Sequence, residues 1–466
     1  MNHKKQLMKN TIIIAIGKLG TKIISFLLLR LYTAKLTTSQ YGTYDFLVTL
    51  ATFLLPIITL LMEESMFRFL IDAKNTKEKK QIVTATVFYT IFGGVLFTIF
   101  TAIVMWIIHY QFGLLFILFV ISNLFIDLSN CLARGTSKIK LYSLSNFILG
   151  GLTIVLNVLF IAVFNWGVPG LLWSNIIANF ITAIAMLLKL KLPNYIGKKY
   201  LNRRILSSMI KYSVPLVPNN ISWLIISMSD RIMLTSMVGS SENGLYSVAN
   251  RFPNILHTFY GFFSTAWQES AAKIIKEENQ SKYYNGIYQE LKTFLQAVTI
   301  GLIAAMPFVF PLLIDKSYNA AYPYIPILVI AIYYTNISSF YGGIFSAYKD
   351  TKVMGTTTVA AAIINVGINV VFLPMFQIYA ATFSTLISNL VVYIYRRIKL
   401  RSYIKLKNKF DVTYWLLLIL TIASYYYNNM ISNILVFLIV LLYCLYTNKK
   451  FIGKILRKLK RREIET

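Results

Sequence analysis

Lys18 and Lys22 stand four residues apart inside an apolar stretch that begins at residue 11. On a helix this spacing places both ammonium groups on one face, about 40° apart. Thr21 and Ser25 complete that polar stripe, and Ile and Leu fill the other faces. At a rise of about 1.5 Å per residue, the two lysines lie about 10–16 Å along the span, near the middle of a bilayer core. Ionisable groups at that depth are costly and mark functional positions. Two like charges so placed repel one another unless their face opens on water or on an anion. One reading is therefore an anion-binding face. The other is snorkelling towards the nearer headgroups, which suits Lys18 better than Lys22.

Further charges sit at helix ends. Arg30 and Arg231 each lie near the outer end of an apolar span, and Arg251 lies about two turns into the next span after Arg231. They read either as a lined cationic cavity or as arginines anchored to outer-leaflet headgroups. Asp230, beside Arg231, reads as a counter-ion within such a site or as a proton-coupling group. Asp45 falls in the first turn of an expected helix at 42–66, where the helix dipole alone would accommodate it. Glu64 and Arg68 have the i, i+4 spacing of a helix ion pair. Asp127 and Glu269 fall towards the cytoplasmic ends of their spans. Tyr333, Tyr334 and Tyr341 read as packing or as the lining of a sugar path. His109 and His257 are scattered, and nothing arranges a metal set or a nucleophile with its base. No catalytic residue, metal or cofactor is expected, and the chain is not read as an enzyme.

The elements that must hold these groups follow from composition. Of 466 residues, 57% are hydrophobic and 14% charged, and 46 Lys+Arg face 17 Asp+Glu, a formal net charge of +29. Mean hydropathy is +0.62. Such a chain is a polytopic membrane protein rather than a soluble one. A nucleic-acid binder would carry its basic residues on a soluble surface, whereas here they form islands between apolar runs. The stretch after the first ten residues lacks a convincing cleavage site and is read as a retained first helix. Cys131 and Cys444, both in apolar runs, support neither a disulfide framework nor a zinc site.

Apolar runs predict fourteen helices near 11–33, 42–66, 82–108, 112–133, 141–164, 168–188, 213–238, 245–271, 286–314, 322–347, 354–375, 378–397, 411–428 and 431–447. With the N-terminus inside, 37 of the 46 basic residues fall in the eight cytoplasmic segments, and only Lys35 and Lys316 fall in outer loops. This contrast orients the chain, because cytoplasmic segments of membrane proteins are enriched in Lys and Arg. The outer loops are short, and no G-x-x-x-x-G-K-[ST] motif is present. RLYTAKLTTSQYGTY (30–44) parallels RIMLTSMVGSSENGLY (231–246), and LNVLF (156–160) parallels INVVF (368–372). Offsets near 202–212 residues span six helices, so both copies share one orientation. The expected plan is a lobe at 1–200 with helices 1–6, a lobe at 201–400 with helices 7–12, and helices 13–14 with a basic tail at 401–466. Two parallel six-helix lobes suit alternating access with a site near the midplane.

DRIMLTSMVGSSENGLYSVANRF (230–252) and GVPGLLWSN (167–175) resemble segments of bacterial polysaccharide-exporting flippases of the Wzx type, in the multidrug/oligosaccharidyl-lipid/polysaccharide exporter superfamily. The resemblance implies an all-α, V-shaped exporter fold around a cationic cavity. It implies transfer of an undecaprenyl-pyrophosphate-linked oligosaccharide from the inner to the outer leaflet of the bacterial cytoplasmic membrane, with both termini cytoplasmic. A polysaccharide polymerase and chain-length machinery would be partners, and nucleic acid would not. Carried onto this chain, the substrate cations are Lys18, Lys22, Arg30, Arg231 and Arg251. Apart from the resemblance, Asp230, Asp45 and Glu64 are the candidate coupling carboxylates. The competing assignments are a multidrug exporter, which would favour acidic cavity residues, a lipid II flippase, and a membrane glycan polymerase or ligase, which would carry a large outer loop.

Overall fold

The computed structural model describes residues 28–275, 277–348, 350–407 and 411–449. Lys18 and Lys22 lie outside these residues. All regular structure among the described residues is helical. Residues 28–35 form α1, followed by α2 (Thr38–Thr59), α3 (Met62–Asp72), α4 (Thr76–Ile108), α5 (Gly113–Gly135) and α6 (Ile139–Asn157). Then come α7 (Gly167–Lys189), α8 (Arg203–Ser213), α9 (Leu216–Met237), α10 (Ser240–Ile274) and α11 (Gln280–Leu313). The chain continues through α12 (Ile325–Ala347), α13 (Thr351–Phe376), α14 (Ile378–Leu400), α15 (Val412–Tyr427) and α16 (Met430–Thr447).

Each expected span from 42–66 onward meets a helix. Among the described residues, ten helices are long and apolar enough to cross a membrane. α9 and α10, which carry Asp230, Arg231 and Arg251, are not among the ten. Polar side chains lower their hydropathy. The described chain divides into two compact units, one ending at Gly244 and the other beginning at Leu245.

Three local departures from expectation have physical causes. α2 begins at Thr38 rather than 42, because Thr37 and Gln40 form a capping box in which each side chain binds the other's backbone N–H. The helix expected over 42–66 breaks at Leu60 and Leu61, whose φ angles are 47° and 55°. The Thr59 hydroxyl accepts the Leu61 N–H at 3.2 Å and so satisfies a donor that the break releases. The expected cytoplasmic segment 189–211 contains α8, an amphipathic helix. Its Met209 is fully buried, with Ile205, Leu206 and Ile210 packed beside it against α3 and α4. Ser65 of α3 donates to the Met209 carbonyl at 3.2 Å.

In the first unit, one apolar core joins α3, α4, α5, α7 and α8 around Met62, Met66, Leu132 and Met186. A second lies around Leu47, Phe116, Val120 and Leu172. In the second unit the main core is aromatic, built on Trp267, Tyr284, Tyr288, Phe340 and Tyr341. The paired asparagines of the internal repeat are both buried, Asn157 donating to the Tyr32 hydroxyl at 3.0 Å and Asn369 to Asn365 Oδ1 at 3.3 Å.

Candidate functional site

The two Gly-x-Tyr segments matched by the repeat lie against one another in the first unit. A Cβ placed on Gly42 would fall 1.7 Å from the Ser240 carbonyl oxygen, and one on Gly244 would fall 2.0 Å from that of Thr38. Only hydrogen fits at either position, so the starts of α2 and α10 meet backbone to backbone. Polar groups close the contact: Thr38 Oγ1 and Ser241 Oγ are 2.7 Å apart, and Asn243 Nδ2 donates to the Gly42 carbonyl at 2.9 Å.

Further along α2, Asp45 meets Arg231 of α9, with Nη1 donating to Oδ1 at 3.2 Å. The side chains are 4% and 19% exposed, respectively. Asp45 therefore does not sit in a first turn served by the helix dipole. It lies about two turns into α2 because the capping box starts that helix early. The counter-ion of Arg231 is Asp45, 186 positions away in the chain, rather than its neighbour Asp230. Asp230 is buried and engaged with other groups. Arg231 retains chemical capacity: its Nε–H is buried without a hydrogen-bond partner among the described residues. A guanidinium with one carboxylate and an idle donor can take a second oxyanion through the geometry that suits carboxylates and phosphates.

The other expected residues are dispersed. Arg30 is exposed on α1, and Arg251 is partly buried in α10 and engaged. Glu64 is exposed, and the expected Glu64–Arg68 pair gives way to Arg68–Asp72, which meet at 2.9 Å with the same i, i+4 spacing. The carboxylate the sequence does not single out is Glu63. It follows the Leu60–Leu61 break, and its Oε1 accepts the Thr59 hydroxyl at 3.1 Å, whereas its Oε2 is buried without a partner among the described residues. No spacing rule separates Glu63 from Glu64, since only the backbone break decides which of them turns inward.

Three more residues are buried in the second unit. Tyr333 and Tyr341 are core residues, 7% and 1% exposed, and the Tyr341 hydroxyl donates to that of Tyr288 at 3.2 Å. Arg396, counted with the cytoplasmic basic residues, is buried between three helices of the second unit. It donates to Thr357 Oγ1 at 3.0 Å, the Ser338 carbonyl at 3.1 Å, and the Met354 carbonyl and Thr358 Oγ1 at 3.4 Å. His257 Nδ1 is 2.9 Å from Asn336 Oδ1. Among the described residues no group of three or more His, Cys, Asp or Glu is placed to hold a metal.

Residues 7–268, more than half the chain, match the family described as "Polysaccharide biosynthesis protein". The chain belongs to that family. No curated protein matches it. Among solved structures it is similar to "Lipid II flippase MurJ, inward closed conformation", with a TM-score of 0.74 at 13% identity over 95% of this chain and 100% of that one. It is also similar to an inward-facing multidrug resistance MATE family transporter of the MOP superfamily, with a TM-score of 0.65 at 13% identity over 83% and 98% of the two chains. A third similar structure is a MOP superfamily transporter from Pyrococcus furiosus described as having reversed binding-pocket polarity. Its TM-score is 0.53 at 14% identity over 86% of this chain and 96% of that one. The protein therefore has the exporter fold shared by these flippases and transporters.

Proposed function

We propose that the protein moves an undecaprenyl-pyrophosphate-linked oligosaccharide from the inner to the outer leaflet of the bacterial cytoplasmic membrane, for synthesis of a surface polysaccharide. The observation that carries this reading is Arg231. It is a largely buried guanidinium in a chain of a polysaccharide biosynthesis family, and it keeps an unused Nε–H beside its Asp45 partner. A pyrophosphate crossing hydrocarbon loses its hydration, and fixed cations replace the lost hydrogen bonds. Arg231 exchanges Asp45 for a phosphate oxygen, and Lys18, Lys22, Arg30 and Arg251 extend the cationic path.

Transport proceeds by alternating access, with residues 1–200 and 201–400 as the moving lobes and 401–466 as an addition. An ion gradient or the membrane potential drives it, through carboxylates drawn from Asp45, Asp230 and Glu64, which Glu63 joins. Cells lacking the protein should accumulate one oligosaccharide pyrophosphate lipid, read by mass spectrometry of lipid extracts. Accumulation of lipid II instead would assign the substrate to peptidoglycan synthesis. Unchanged lipids with altered drug efflux would sink the proposal in favour of a multidrug exporter.

A further inference from the structure

A second group of cations lies in the second unit, away from Arg231. A cavity of about 50 Å³ opens between α11, α12 and the C-terminal end of α14. This exceeds the roughly 10–15 Å³ that a single water-sized group needs, so the cavity admits a small polar group. Its polar lining is Arg397 of α14 and Arg401 just after that helix, with Tyr288 of α11 and Tyr341 of α12, and Leu400, Ile404 and Leu406 close the remainder. No carboxylate lines it among the described residues. Arg397 Nη1 donates to the Tyr393 hydroxyl at 3.3 Å, which leaves most of its N–H groups for another acceptor, and neither arginine is ion-paired among the described residues.

The wall is fixed rather than adaptable. Asn285 of α11 donates to the Lys405 carbonyl at 3.2 Å and accepts the Lys407 N–H at 2.6 Å, and Gln289 donates to the Lys407 carbonyl. These bonds hold residues 404–407 against α11 and shape the cavity. Arg397 and Arg401 are one helical turn apart on one face, where like charges repel. A chamber with two guanidinium groups, hydroxyls, apolar walls and no carboxylate is complementary to a small oxyanion, such as a phosphate monoanion or diester.

We propose that this cavity binds the phosphate of an anionic phospholipid at the headgroup level of the membrane. α14 is one of the membrane-length helices, and on its outer side Ile394 and Ile398 are 46% and 58% exposed, as befits lipid contact beside the site. Lys399, Lys405 and Lys407 are exposed on the same stretch and favour an anionic leaflet. In the orientation set by the basic segments this leaflet is the cytoplasmic one. The site does not depend on what the protein transports.

The test uses the purified full-length protein in neutral detergent, with thermal unfolding and native mass spectrometry after addition of phosphatidylglycerol, phosphatidylcholine or inorganic phosphate. Phosphatidylglycerol is expected to raise the melting temperature above that in phosphatidylcholine and to remain bound in the mass spectrum. Arg401→Gln, at an exposed position that folding tolerates, should lose most of that difference, and Arg397→Gln/Arg401→Gln should lose all of it. Lys399→Gln, outside the cavity, should keep it. If inorganic phosphate alone reproduces the shift, the lipid assignment is overturned. If Arg401→Gln and Lys399→Gln respond to phosphatidylglycerol as the unmodified protein does, there is no anion site.

Discussion

Arg231 is a cation whose work depends on the partner it holds. Paired with Asp45 it is electrically neutral and compatible with burial, and released from Asp45 it is a strong phosphate donor. Removing one member of a largely buried pair withdraws an ion-pair partner from the other and destabilises the fold. Arg231→Ala should therefore lower both thermal stability and flipping. Asp45→Asn/Arg231→Gln should recover much of the stability, since both members of the pair become neutral, while flipping stays low. Unfolding in detergent combined with a flipping assay reads both, and full flipping by a folded double variant would contradict the assigned role of Arg231. Spacing alone singles out Lys18 and Lys22, which lie outside the described residues. It does not single out the Asp45–Arg231 pair, because its members are far apart in the chain and each had a plausible local explanation, a helix dipole for one and a neighbouring carboxylate for the other.

At the scale of elements, the meeting of α2 and α10 at Gly42 and Gly244 is a contact that any side chain would force apart. In the proposed alternating access between residues 1–200 and 201–400, this contact opens during transport. Because Thr38 Oγ1 and Ser241 Oγ are 2.7 Å apart, Thr38→Cys/Ser241→Cys should form a disulfide on oxidation, stop transport, and recover on reduction. Oxidised protein that flips at the unmodified rate would mean that this contact is static. Arg396 gives a second expectation of this kind. Its guanidinium satisfies carbonyls and hydroxyls of α12 and α13 from α14, so Arg396→Met leaves several buried acceptors empty. A loss of about 3 kcal/mol or more is expected, read by thermal unfolding. Arg397→Gln, on a half-buried neighbour with one hydroxyl partner, should cost much less. Helix positions were legible in the apolar runs. The break at Leu60–Leu61 was not, because leucine is not a residue type that marks left-handed backbone.

For the whole molecule, the separation of basic residues makes a prediction about orientation. In intact cells a membrane-impermeant maleimide should label Lys35→Cys and Lys316→Cys. Lys199→Cys and Lys405→Cys should react only after permeabilisation. All four side chains are exposed, so the comparison measures sidedness rather than burial. The reverse pattern would invert the topology and with it the proposed direction of transport.

The net charge of +29 illustrates how the two levels of information divide. Sequence alone determined that this is an all-helical membrane protein, because hydropathy and the placement of Lys and Arg are properties of segments and need no knowledge of contacts. The exporter type rests on the resemblance carried by residues 167–175 and 230–252. Sequence also pointed to Gly42 and Gly244 as equivalents, since repeats preserve residue type. Tertiary structure decided which charges act together. It joined Arg231 to Asp45, turned Glu63 inward instead of Glu64, made Arg396 a structural tie and set Arg397 and Arg401 around a cavity. Electrostatic interactions fall off with distance through space, and the chain brings residues from remote segments within hydrogen-bonding reach in ways no local spacing records.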